Sequence, residues 1–291
     1  MSRSQPSTRN IGEIPTDLLI CSTIAFLIAG FMRKPSLRLL SLSGLVRENY
    51  AGKQIPTSTG ATYVVSAFLA AVITVTPGGL TGYRAQEVVP CLLLVVGSSF
   101  VGLIDDVFGT HAARGFMGHI KALVVKRTVT TGLLKAVIVW LLAASAITVT
   151  TKVRSPLTLV FDATLISLAA NFINLLDLQP ARSGKVFSIS IALLLVCDHH
   201  SCIGMVPVGL AGAVLSGFND ELHEKSMIGD AGSNSLGAAL GYWVALRLSP
   251  IIKAFILLFL VGVHIYSERY SLSRTIDENS VLRFIDRLGR S

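Results

Sequence analysis

Asp230 stands in Ile228-Gly229-Asp230-Ala231-Gly232-Ser233-Asn234-Ser235-Leu236-Gly237, where small and hydrogen-bonding residues follow it at once. A carboxylate at a glycine- and serine-rich helix start can hold a metal ion, and the free amides there can hold a phosphate. The simpler account is a helix cap, since Asp, Ser and Asn are what any helix start prefers. Taken alone, the decapeptide favours the cap. Further stretches change the balance. Asp105-Asp106 closes an apolar run. Acids are unfavourable near a helix C-terminus and adjacent like charges repel, so the pair calls for a nearby cation or a phosphate proton, unless it merely ends a helix in water. Asn171, Asn174 and Asp177 recur at i, i+3, i+6, which lines them along one helix face. Small polar residues in such a stripe also serve helix–helix hydrogen bonding, an account that suits Asp177 least. Lys53 and Lys121, in Asn49-Tyr50-Ala51-Gly52-Lys53-Gln54-Ile55-Pro56-Thr57 and Gly118-His119-Ile120-Lys121, read individually as topology charges.

What must position these residues is an unusually apolar chain. Of 291 residues, 52% are apolar and 14% charged, where soluble domains carry roughly a quarter. The expectation is an all-α, polytopic membrane bundle, because so little polar sequence cannot solvate so much apolar surface. Apolar runs lie at about 16–32, 59–76, 88–104, 130–149, 157–176, 185–197, 203–218, 232–248 and 251–266. These predict nine spans, the 185–197 run being short for one. The first run has the length of a signal-peptide core. Arg33-Lys34 follows directly and no small-residue cleavage site ends it, so it is read as a span. Residues 1–15 form a polar tail outside the membrane domain of 16–266, and 267–291 a basic tail.

Charge orients the spans. The loops 33–57, 105–129, 177–184, 219–231 and 267–291 hold 16 Lys and Arg, against seven on the opposite side. That excess places the first set in the cytoplasm and the N-terminus outside. The net charge of +8 therefore reads as topology and attraction to anionic lipid, not as a nucleic-acid footprint. Nearly every unusual polar motif then falls on the cytoplasmic side, and ionisable groups gathered at membrane depth suggest a site. Cys21 and Cys91 act as small hydrophobes. Cys197 and Cys202, around Asp198-His199-His200-Ser201, suit an interhelical turn, a disulfide loop or a weak metal site, the turn fitting best. Gly209, Ala213, Gly217 and Gly237, Gly241, spaced by four, read as close helix packing. In the tail, Val281, Leu282, Ile285 and Leu288 form an apolar stripe with basic flanks. It fits either a helix on the inner leaflet or one packed on the protein.

The ordered set N-Y-A-G-K-Q-I-P-T, G-L-I-D-D, H-I-K, N-F-I-N-L-L-D and I-G-D-A-G-S-N-S-L-G resembles the polyprenyl-phosphate N-acetylhexosamine-1-phosphate transferases. That superfamily includes the bacterial phospho-N-acetylmuramoyl-pentapeptide transferase. The resemblance runs from about Asn49 to Gly241. It implies an enzyme of the bacterial cytoplasmic membrane whose cytoplasmic, magnesium-dependent site moves a sugar 1-phosphate from a UDP-sugar to a polyprenyl phosphate and releases UMP. Matched position by position, Asp230 is the magnesium-binding aspartate, with Asp177 beside it. Asp105 and Asp106 are the paired aspartates, one of them acting on the lipid phosphate. Asn171, Asn174 and Asp177 shape the nucleotide and metal site, and Lys53 and Lys121 lie near the phosphates. Oligomeric state is open, with a homodimer among the options.

Two departures stand out. The family continues N-L-x-D-G-x-D-G, where this chain has Leu178 for the glycine and Pro180 for the second aspartate, with Arg182 and Lys185 following. The family's histidine-rich loop and tenth helix are not expected after the ninth run. A catalytically silent relative that binds lipid phosphate or nucleotide is the second reading. A transporter using intramembrane carboxylates is the third, disfavoured because the acids sit at helix ends and no internal repeat is found.

Overall fold

The computed structural model describes residues 16–49, 51–75, 83–109, 115–151, 155–198 and 202–290. The polar tail 1–15, Tyr50, Arg114, Lys152, Arg154 and the His199-His200-Ser201 stretch lie outside the described residues. The chain is almost wholly helical: α1 (Thr16–Leu42), α2 (Gly60–Val75), α3 (Tyr83–Phe108), α4 (Gly115–Lys126), α5 (Thr131–Thr151), α6 (Pro156–Leu176), α7 (Arg182–Cys197), α8 (Met205–Leu222), α9 (Gly229–Arg247), α10 (Pro250–Ser267), α11 (Leu272–Glu278) and α12 (Ser280–Arg287). Each of the nine apolar runs lies on a helix. Among the described residues, six helical segments are long and apolar enough to cross a membrane: α1, α3, α5, α6, α8 and α10. The expectation of nine spans is thus met only in this coarser form. Helices α2 and α7 have 16 residues each, short of the roughly 20 a bilayer needs, and α9 begins with a polar turn.

Three local expectations change. Helix α1 continues through Arg33, Lys34 and Pro35 to Leu42, because charges end an apolar run without ending a helix. The Nε of Arg33 pairs with Asp220 Oδ2 on α8 at 3.3 Å. The rest of that loop folds into a ribbon of β1 (Val46–Glu48) and β2 (Gln54–Pro56), antiparallel with Arg47 opposite Ile55. The 105–129 loop contains α4. No disulfide joins Cys197 to Cys202 among the described residues.

Helix α9 forms the core. It packs between α3 and α6, and Leu236, Tyr242 and Trp243 are essentially inaccessible. Its small residues permit this. A Cβ on Gly237 would lie 2.3 Å from the carbonyl oxygen of Ala169 on α6. The outer faces are apolar: Phe31 is 85% exposed and Phe255 70%. So much exposed apolar surface suits lipid, not water. Helix α10 buries only Lys253 and Leu260. A buried pair holds it, Lys253 Nζ donating to Asp162 Oδ1 at 2.6 Å and to the Ala245 carbonyl at 3.0 Å.

The C-terminal tail docks through charge. Arg182, at the start of α7, donates from Nε and Nη2 to the two oxygens of Asp286 on α12, at 2.7 and 2.9 Å. Arg290 Nη2 also reaches Asp286, at 2.8 Å, and Lys185 Nζ donates to its carbonyl at 2.6 Å. Burial works against ionising Asp286, but the bonds from Arg182 and the positive charges of Arg182, Arg290 and Lys185 hold its carboxyl below the usual value of 3.8. A depressed carboxyl stabilises docking above that usual value, and the contribution is lost as pH falls through the folded value. Asp286→Ala, or acidification below pH about 4, is therefore expected to speed amide exchange across residues 272–290 while the core helices keep their protection. Unchanged exchange in the tail would refute the clamp.

Candidate functional site

Four aspartates from three helices meet at the first turn of α9. Asp105 and Asp106 lie in the last turn of α3, Asn174 lies in the last turn of α6 with Asp177 directly after that helix, and α9 opens with Gly229 and Asp230. Asp105 and Asp106 are adjacent, so on a helix they point about 100° apart. They find different partners. Asp106 faces the α9 N-terminus, accepting from the amides of Asp230 and Ala231, each at 3.1 Å. It also accepts from Ser58 Oγ at 2.6 Å, and Arg47 Nη2 lies 3.5 Å from it. Asp177 takes the Gly229 amide at 2.9 Å and the Ser183 hydroxyl at 2.6 Å.

These bonds correct the expectation that Asp230 caps its own helix. The cap residue is Ile228, which offers no side-chain bond, and the orphan amides are satisfied from α3 and from the end of α6. Gly229 makes this possible. Its φ is +73°, and a Cβ there would lie 2.8 Å from Asp106 Oδ2.

Relieved of capping, the Asp230 carboxylate turns to Lys135 of α5. The Lys135 ammonium donates to Asp230 Oδ2 and, at 2.7 Å, to Asp105 Oδ2. Asn174 Nδ2 lies 3.5 Å from the same Asp230 oxygen, and Ser233 Oγ donates to Asn174 Oδ1 at 2.8 Å. The side chains of Asp105 and Asp230 keep 17% and 20% of their exposure, whereas Asp106 keeps none. Of these three, Asp105 and Asp230 are thus the carboxylates that a ligand from solvent can touch. Burial pushes the Asp177 carboxyl up to about 8. Its bonds from Ser183 and Gly229 pull the other way, and the negative charges of Asp230 and Asp106 add to the rise.

No family model and no curated protein matches this chain.

The donor set suits a hard divalent cation, which prefers carboxylate and amide oxygens. Asp105 and Asp230 already converge on one positive charge, the Lys135 ammonium. Those two would hold a magnesium ion, and such an ion competes with Lys135 for them. Both oxygens of Asp177 are engaged by protein donors. Among the described residues, no group of three or more His, Cys, Asp and Glu is arranged to hold a metal ion.

Asp105, Asp106, Asn174, Asp177 and Asp230, all singled out by type and spacing, come together. Lys53 and Lys121 are exposed, and among the described residues no ion pair joins them to the cluster. Asn171 lies one turn before Asn174, half-buried, and among the described residues no hydrogen bond joins it to the aspartates. Lys135, Arg47 and Ser58 are the residues that sequence reasoning passed over. Lys135 carried a signal: a lysine inside an apolar run is costly and therefore placed for a reason.

The contact between α3 and α9 offers a sharp test. A Cβ on Gly102 would lie 2.3 Å from the Asp230 carbonyl oxygen. Gly102→Ala must push α3 off the start of α9. It is expected to cost about 1–3 kcal/mol of stability, as overpacked cores do, read from thermal unfolding. Wild-type stability would show that the approach is looser than described.

Proposed function

We propose that this chain is a divergent member of the polyprenyl-phosphate N-acetylhexosamine-1-phosphate transferases. In this reading it spans the bacterial cytoplasmic membrane nine times, with its N-terminus outside. It transfers a sugar 1-phosphate from a UDP-N-acetylhexosamine to a polyprenyl phosphate, releases UMP and serves cell-envelope polysaccharide synthesis. The observation that carries the reading is the convergence of Asp105, Asp106, Asp177 and Asp230 with Asn174 and Lys135 at the start of α9. Phosphoryl transfer needs positioning and charge neutralisation more than covalent chemistry, and a cluster of oxygen donors with one lysine supplies both. Magnesium, when bound, neutralises the diphosphate oxygens.

Each residue then has a task. Asp230 holds the cation. Asp105, the exposed member of its pair, positions the lipid phosphate or takes its proton. Asp106 orders the first turn of α9, and Asp177 ties the following loop to Gly229. Lys135, once displaced from the carboxylates, is free to meet phosphate oxygens. Lys53, in the turn of the β ribbon, and Lys121, on α4, reach a bound nucleotide only if those elements move toward it. The test is UMP release from purified protein given magnesium, polyprenyl phosphate and a panel of UDP-sugars. Folded protein that releases none overturns the reading.

One observation favours a second reading, a silent relative that binds lipid phosphate or nucleotide. The protein already neutralises Asp105 and Asp230 through Lys135 and Asp106 through Arg47. UMP or polyprenyl phosphate binding without turnover would establish it.

A further inference from the structure

The C-terminal helix α12 is docked the wrong way round for a water-exposed element. An amphipathic helix on a soluble surface buries its apolar arc and leaves its charges in water. Here the charged edge is inward. Asp286 is 5% exposed against Arg182, itself 3% exposed, while Val281, Phe284 and Leu288 stand 65%, 67% and 50% exposed. Leu282 and Ile285 widen the same arc. At about 100° per residue Val281, Phe284 and Leu288 lie opposite Asp286, with Ile285 beside them and Leu282 on the side nearer Asp286. The two charges that α12 leaves exposed are both arginines, Arg283 and Arg287. They lie together between Asp286 and Phe284, along one edge of the arc, and line an open groove with Phe284 and Leu288.

Its location says what covers this face. Helix α10, apolar on its outside at Ile251, Phe255 and Leu258, ends at Ser267. Only four residues separate that end from α11, a reach of roughly 14 Å at most. The anchor of α12, Arg182, opens the neighbouring α7, and α11 lies against α6. The tail is therefore held at the boundary where these helices leave the apolar layer. An arc of large apolar side chains bordered along one edge by exposed guanidiniums matches the interface of an anionic leaflet, with acyl chains below and headgroup phosphates beside it.

We propose that α12 is an interfacial anchor seated in the anionic phospholipid leaflet. It would be held from above by the Asp286–Arg182 clamp and from below by Val281, Phe284 and Leu288, with Arg283 and Arg287 on lipid phosphates. The inference rests on the chain spanning a membrane, and not on the transferase reading. The test uses the full chain with Cys197→Ser and Cys202→Ser, leaving Cys21 and Cys91 buried. Nitroxide labels are placed singly at Phe284→Cys, at Leu258→Cys on the outside of α10, and at Asp277→Cys on the exposed side of α11. The protein is reconstituted at one chain per nanodisc of phosphatidylcholine and phosphatidylglycerol, and accessibility to oxygen and to a water-soluble nickel chelate is measured. Labels at Leu258 and Phe284 are expected to favour oxygen and the Asp277 label the chelate. Replacing both arginines (Arg283→Gln with Arg287→Gln), or omitting phosphatidylglycerol, is expected to shift the Phe284 label toward the chelate. A Phe284 label in water while Leu258 is immersed overturns the anchor and leaves the membrane reading intact. Immersion that requires two chains per disc overturns it in favour of contact between copies. A Leu258 label in water removes the membrane reading, and the anchor with it.

Discussion

Asp230→Asn is expected to lower UMP release by about a thousandfold or more, with the protein still folded. The exchange keeps shape and removes one negative charge from the pair that a divalent ion would share. Metal neutralisation of a transferring phosphoryl group contributes several kcal/mol, and each 1.4 kcal/mol is about tenfold in rate. Folding is spared because Asp230 does not cap α9. The amides of its first turn are held by Asp106 and Asp177, which the substitution leaves alone. Steady-state UMP release against magnesium concentration is the measurement, with thermal unfolding as the folding control. Full activity in the variant would remove the metal assignment. A large loss of stability would show that the carboxylate is structural.

Lys135→Met is expected to destabilise the protein by about 3–5 kcal/mol in EDTA, the usual cost of breaking a buried ion pair by removing one partner. Its ammonium is the shared counter-charge of Asp105 and Asp230, and its side chain is only 10% exposed. Methionine fills the volume and leaves two close carboxylates without their shared cation. A divalent ion replaces that charge, so magnesium or manganese is expected to restore much of the lost stability. Wild-type protein gains less, because there the ion must first displace the lysine. Thermal unfolding with and without each ion measures both effects. Equal gains in variant and wild type would mean that the ion binds elsewhere. If the transferase reading holds, the variant also loses turnover with metal present, since the lysine is then missing from the phosphates.

The two substitutions divide the site between them. Asp230→Asn reports on the ligand and Lys135→Met on the occupant it replaces. A silent relative would show the stability pattern of Lys135→Met and no UMP release from any variant.

Apolar runs carried much of the architecture because they act locally. A stretch of apolar residues folds as helix wherever the chain leaves water, and all nine runs did so. The aspartates were legible by type, since carboxylates beside glycine or at the end of an apolar run have few ordinary uses. Pairing was not legible. Lys135 and Asp230 are 95 residues apart, Asp106 and the Ala231 amide 125, and Arg182 and Asp286 104. An ion pair leaves no periodicity in a sequence, and the position of Lys135 in an apolar run marks it as placed for a reason without naming the acid it meets. Lys53 and Lys121 stand out by motif, whereas Lys135 belongs to none of the motifs. Composition and spacing alone determined a helical membrane chain with a polar site at the start of α9. The packing of α3 and α6 against that helix decided the site: Asp106 took over the amides of its first turn and Asp230 turned to Lys135, while Arg182 of α7 drew Asp286 inward and left the apolar face of α12 outward.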